Sequence, residues 1–119
     1  MTSLHRFTIA AIVRETAAFY GFTPQDLAGR KLLGSISHAR HVAMFLCRRH
    51  TRASFPQIGR ALGGRDHASV IYAVRKIEGF LDVHPEVRLE VAAIESRLDP
   101  AKPDLVKVVA EARAALRVA

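Results

Sequence analysis

The sequence predicts an all-α fold, and three observations carry that prediction. Apolar residues recur at helical spacing through almost the whole chain. No stretch alternates apolar and polar residues in the manner of a strand. Glycine, proline and capping residues stand where the apolar runs begin and end. With 119 residues, half of them hydrophobic, the chain can bury a single compact core without disulfides or metal.

The elements follow in order. A first helix is expected over residues 4–20, with Ile9, Ile12, Val13, Thr16, Phe19 and Tyr20 on one side and Gly21 as its stop. Thr23-Pro24-Gln25-Asp26 supplies an N-cap, a proline at the first helical position and an acid three residues on, which starts a short helix ended by Gly29. Residues 30–35 read as a loop with a basic start. Ser37 is then positioned to cap a third helix over 38–50, with Ala39, Val42, Ala43, Leu46 and Cys47 inward and Met44 and Phe45 on the margins. Ser54-Phe55-Pro56-Gln57 is a second capping box and opens a helix to about residue 62, broken by Gly63-Gly64. Asp66 caps a fifth helix to about residue 81, which faces Val70, Ala73, Val74, Ile77 and Leu81 inward. Two more helices, 84–98 and 103–118, flank a proline-containing linker. The expected division is a helical domain at 1–82 and a helical C-terminal extension at 83–119.

Charge narrows the function. The net charge is +7, and its distribution is uneven. Between Arg30 and Lys76 ten Lys/Arg face one acid, Asp66, so this stretch is +9 and the flanks together are −2. Such a surplus repels itself unless a polyanion shares the surface. Arginine outnumbers lysine eight to two there, which favours bidentate contacts to phosphate and bases. Nucleic acid is the leading partner class. The single cysteine, Cys47, lies in an apolar-periodic run and reads as a buried structural thiol of a reduced compartment. No apolar run is long enough to span a bilayer and the N-terminus has no signal-peptide pattern, so a cytoplasmic, nucleoid-associated protein is expected.

Residues 54–81 carry the informative constellation. Two capped helices joined by a glycine-containing turn have the form of a helix-turn-helix, whose second helix meets base edges with its first residues. Here those residues are Asp66, His67, Ala68 and Ser69, small or hydrogen-bonding throughout. An Asp accepts from a cytosine amino group, a His donates or accepts, and an Ala methyl touches a thymine methyl. Arg65 before the helix, and Arg75 and Lys76 along it, are placed to meet phosphates, which a helix N-terminus also attracts. The same GGRDH run also suits a plain C-cap and N-cap joining two ordinary helices.

Gly63-Gly64-Arg65-Asp66-His67-Ala68-Ser69-Val70, followed by Ala73-Val74-Arg75-Lys76-Ile77-Glu78, closely resembles the signature of the C-terminal DNA-binding domain of DnaA, the bacterial replication initiator. Agreement extends upstream through Phe55-Pro56-Gln57-Ile58-Gly59 and Ala39-Arg40-His41-Val42-Ala43-Met44, and covers roughly residues 5–80. The resemblance implies a Trp-repressor-like helical bundle and a duplex target, the DnaA box (TTATCCACA-like). It places Asp66, His67 and Ala68 at base-reading positions, with Ala68 where the family usually has Thr. Ser69 falls where a Thr hydroxyl meets a phosphate. Arg40, Arg48, Pro56, Arg65 and Lys76 are assigned to the DNA backbone, as is His41, which replaces a usual Gln. The family also sets an arginine from the loop before its third helix into the minor groove. Leu32 aligns there, leaving Arg30 and Lys31 as the nearest cations.

No G-x-x-x-x-G-K-[ST] occurs in the sequence, so neither nucleotide, cofactor nor enzymatic activity is expected. The six histidines are spread out. Only His38 and His41 share a helical face, with no third ligand beside them, so no metal site is expected. The favoured reading is a monomeric, stand-alone binder of DnaA-box-like duplex DNA that regulates replication initiation or transcription. Its initiating Met and short leader point to a natural protein. The rivals are an adaptor that works through the helices after Glu78, and an excised fragment of a full initiator.

Overall fold

The computed structural model describes residues 7–118, and all regular structure among them is helical. The elements are α1 (Ile9–Tyr20), α2 (Pro24–Ala28), α3 (Gly34–His50), α4 (Phe55–Ala61), α5 (His67–Val83), α6 (Pro85–Leu98) and α7 (Val106–Val118). The helical boundaries expected at α2, α4 and α5 appear because their signals are local. Thr23 and Asp26 close a reciprocal capping box on α2, as Ser54 and Gln57 do on α4. Asp66 accepts from the Ser69 N–H at 2.8 Å and caps α5.

Three helix starts differ from expectation, and one of them is α7, which opens at Val106 and not at residue 103. α1 begins at Ile9, where the Thr8 hydroxyl accepts from the Ala11 N–H, and residues 7 and 8 are not helical; the earliest part of the expected helix, residues 4–6, lies outside the described residues. α3 begins at Gly34, a turn before the expected Ser37 cap, with no side-chain cap at Leu33. Ile36 is buried in that extra turn, and its burial holds the helix where capping chemistry does not.

α3 is the axis of the fold. It packs against α1, α2, α4 and α5, and Met44 and Phe45, expected at its margins, are buried with Val42, Ala43, Leu46 and Cys47. α5 completes the core with Val70, Ala73, Val74 and Ile77. Burial pushes the Cys47 thiol up to about 12, which leaves it unreactive.

The packing does not break at residue 82. Val87, Val91 and Ile94 of α6 belong to the same core cluster as α1, α3 and α5. α6 is also pinned to α3 near both ends of that helix. The buried Glu90 carboxylate accepts from His38 (3.0 Å) and Tyr20 (2.5 Å), while Glu95 meets Arg49 and His50 at 3.0 and 2.6 Å. Burial alone would raise the Glu90 pKa, but the His38 and Tyr20 hydrogen bonds and the Arg113 charge outweigh it and hold the group below its ordinary value. α7 reaches the same site, where Arg113 meets Glu90 at 3.3 Å.

Candidate nucleic-acid interface

The helix-turn-helix is built on a crowded turn. The Gly59 carbonyl accepts from the Leu62, Gly64 and Arg65 N–H groups at 3.2, 3.0 and 2.9 Å. Leu62 is fully buried, and Gly63 and Gly64 take φ of +91° and +80°. This left-handed pair lets the chain reverse within three residues and enter α5 at Asp66.

From that turn α5 presents two unlike faces. Val70, Ala73, Val74 and Ile77 are buried, whereas Asp66, His67, Ala68 and Ser69 are all exposed. The Ser69 N–H bond holds the Asp66 carboxyl below its usual range, so it stands ionised at the mouth of the helix. Asp66, Ala68 and Ser69 line a shallow concavity of about 390 Å³ together with Leu32, Ser37, His41, Tyr72 and other residues.

The cations expected around this site fall into two groups. Arg30, Lys31, Arg48 and Lys76 are exposed, as is Pro56. Arg48 lies over the Phe55 ring at 4.3 Å, and Lys76 lies near the Tyr72 and Phe80 rings. Arg40 and Arg65 are placed differently. Arg40 is only 3% exposed; it donates to the carbonyls of Leu27 (2.6 Å), Gly29 (3.3 Å) and Lys31 (3.0 Å). Arg65 donates to Ala28 (3.3 Å), Gly29 (2.5 Å) and Leu62. Arg40 thus ties the end of α2 to the loop that follows it, and it also lines the concavity. Arg65 ties the same loop to the helix-turn-helix turn.

His41 is half-buried, its ring edge-on to Tyr72. Burial first, then the charges of Lys76 and Arg40, push its pKa down to about 4, so it is a neutral imidazole. The influence of Lys76, Arg40 and Arg65 on His41, and of Arg30 on Arg65, traces one continuous positive zone beside the concavity.

Tyr72 is the residue that sequence reasoning missed. It is 60% exposed and lines the concavity a turn beyond Ala68. Its signal was present in the spacing, since Ala68, Tyr72 and Lys76 recur every four residues along one face. For the Arg40 clamp no sequence signal exists, because its partners are main-chain carbonyls. Among the described residues no group of three or more His, Cys, Asp or Glu is placed to hold a metal ion, and no helix is long and apolar enough to cross a membrane.

The profile of the bacterial dnaA protein helix-turn-helix family matches residues 9–77. Curated relatives agree. The chain is 46% identical over 93 residues to the chromosomal replication initiator protein DnaA of Roseiflexus castenholzii, covering 78% of this chain and 19% of that protein. It is 38% identical over 94 residues to the DnaA of Sphingopyxis alaskensis, covering 79% and 21%. With the DnaA of Anaplasma marginale it shares 42% over 79 residues, 66% of this chain and 17% of the relative. The chain spans about a fifth of the length of these curated relatives. The family match takes in α1 to α4, the glycine turn and most of α5, and with them the whole concavity. The chain therefore belongs to the bacterial DnaA helix-turn-helix family, a DNA-binding domain.

Proposed function

We propose that this chain binds duplex DNA at DnaA-box-like sites as a monomer, with α5 in the major groove, and that it acts by occupying those sites. The observation that carries the reading is the first turn of α5. It exposes Asp66, His67, Ala68 and Ser69 while the helix behind it is buried, and it does so beside a continuous positive zone. Asp66, His67 and Ala68 read bases. Ser69, Arg48, Lys76, Pro56 and neutral His41 meet the backbone, and Arg65 supports them through the loop it holds. Arg30 and Lys31 approach the neighbouring groove.

No phosphate-binding loop of the G-x-x-x-x-G-K-[ST] type occurs in the 119 residues. In this reading the chain neither binds nor hydrolyses nucleotide, and it influences replication initiation or transcription through site occupancy. The test is anisotropy of a labelled TTATCCACA duplex against a scrambled one across a salt series. Selective binding is expected, with log K falling by about 0.9 for each phosphate neutralised per unit of log salt. Binding to neither duplex at low salt would remove the reading and favour an adaptor that works through α6 and α7.

A further inference from the structure

The three histidines of α3 meet different surroundings. His38 rests on the buried Glu90 carboxylate at 3.0 Å, and His50 meets Glu95 at 2.6 Å. His41, between them, has no such partner among the described residues. Its half-buried ring turns to the concavity beside α5, edge-on to Tyr72 and in company with Asp66 and Ser69. The charges that act on it are Lys76 from α5, Arg40 and His38 from its own helix, and Arg65 from the helix-turn-helix turn. Each is a cation or can become one. α1, α2 and α4 also pack on α3 and bring no charge to bear on the ring. The α6 carboxylates that reach α3 are engaged by His38, Arg49 and His50. Asp66 lines the same concavity, but its carboxylate accepts from the Ser69 N–H and is not among the groups that act on His41. An imidazole so placed lacks only an anion.

In the duplex-binding reading, on which this inference rests, a phosphate of the DNA backbone comes over this ring. It adds the missing opposite charge and offsets the repulsion from Lys76, Arg40 and Arg65. An opposite charge within about 4–6 Å favours the charged form of a titratable group. In the free chain burial and the surrounding cations do the reverse, and hold the ring neutral down to about 4. The free and bound chains then hold the ring proton with unequal strength. By linkage, a ligand that raises the affinity for a proton itself binds more tightly where protons are plentiful. We propose that His41 takes up a proton from solvent when the DNA backbone settles over the concavity, so that the chain grips its site more tightly as the medium becomes more acidic. At neutral pH the ring meets the phosphate as an uncharged donor. In acid it donates as an imidazolium, and the bond becomes charge-assisted and stronger. The gain sets in as pH falls through the bound value and levels off below the free one.

The test uses the full chain, its His41→Gln variant, and labelled TTATCCACA and scrambled duplexes at constant ionic strength. Imidazole NMR signals are followed against pH with and without duplex, those of His41 being assigned by their loss in the variant. The free ring is expected to stay neutral down to about pH 5. In the complex it should titrate at least about one pH unit higher. Anisotropy should show affinity for TTATCCACA rising several-fold from about pH 7.5 to about 5.5. His41→Gln keeps an N–H donor for the phosphate but cannot take the proton, so its affinity should rise less over that interval. Asp66 is held below its ordinary range and stays ionised throughout. His67 also faces the duplex, which is why the His41 signal itself is read. Selective binding in which His41 titrates alike in the free and bound chains overturns the proton uptake and leaves the DNA reading intact. The uptake also falls if affinity rises as steeply in His41→Gln as in the parent. No selective binding at any pH overturns both proposals.

Discussion

Gly63 and Gly64 share one left-handed backbone but differ in what a side chain would meet. A Cβ on Gly64 finds open space, whereas one on Gly63 collides with the Ala28 carbonyl oxygen. Gly64→Ala should therefore cost only the left-handed penalty, about 1–2 kcal/mol. Gly63→Ala should cost clearly more, because the end of α2 must also move off the turn. Urea unfolding compares the two, and equal losses would mean that α2 does not rest on the turn. The DNA-reading residues are separable in the same way. His67→Ala leaves the fold untouched and should relax preference at one base position by about 1–3 kcal/mol. Asp66 both caps α5 and faces the groove, so Asp66→Asn, which keeps the cap, isolates its effect on base preference. Site preference that is indifferent to His67→Ala would displace α5 from the recognition role.

At the scale of elements, arginines of like appearance in the sequence separate by what surrounds them. Arg40→Met leaves the carbonyls of Leu27 in α2 and of Gly29 and Lys31 in the following loop short of a donor and should destabilise the fold by about 1–3 kcal/mol. Exposed Arg48→Ala should leave the urea midpoint nearly unchanged and weaken all duplexes alike. The seam of α3 against α5 carries its own pH signature. His41 has a folded pKa of about 4, below the ordinary 6.5, so the unfolded chain binds the extra proton. The stability His41 confers as a neutral ring is complete above pH 6.5 and is lost as pH falls through that window toward 4. The carboxyls of Asp26, Asp66, Glu90, Glu95 and Asp104 are held below their ordinary values and act only at lower pH. Melting curves between pH 6.5 and 5 should thus fall less for His41→Gln than for the parent chain. These elements also mark what the sequence could reveal. The starts of α2, α4 and α5 were legible because their caps lie within three residues, and the exposed first turn of α5 followed from them. The start of α3 was misread because Ser37 mimics a cap while burial of Ile36 decides the matter. The fates of Arg40 and Arg65 depend on carbonyls that only the folded chain brings within reach.

The apolar face of α7 must be covered, by its own bundle or by another chain. The stripe of Val108, Val109, Ala112 and Leu116, extended by Leu105 just before the helix, is long enough to pair with a second chain. In the structure α7 folds back on α6, and Val109 is buried. Polar contacts fix the same arrangement. Ser96 Oγ accepts from the Leu105 N–H at 3.0 Å, Arg97 meets Asp104 at 2.9 Å, and Arg113 reaches the buried Glu90 at 3.3 Å while lying over the Phe19 ring. Val108 and Leu116 stay 59% and 41% exposed, two separate residues and not a closed apolar seam. A dimer through this stripe would have to pull Val109 from its socket and strip Arg113 from a buried carboxylate, and removing one partner of such a pair is strongly unfavourable. The full chain is therefore expected to sediment as a monomer at every concentration tested. A version ending at Asp99 should also be monomeric and should still bind duplex DNA, because α6 remains in the core, but it should unfold at lower urea concentration once Glu90 has lost Arg113. A dimer that reverts to monomer on this truncation would overturn the fold-back and make α7 an association element.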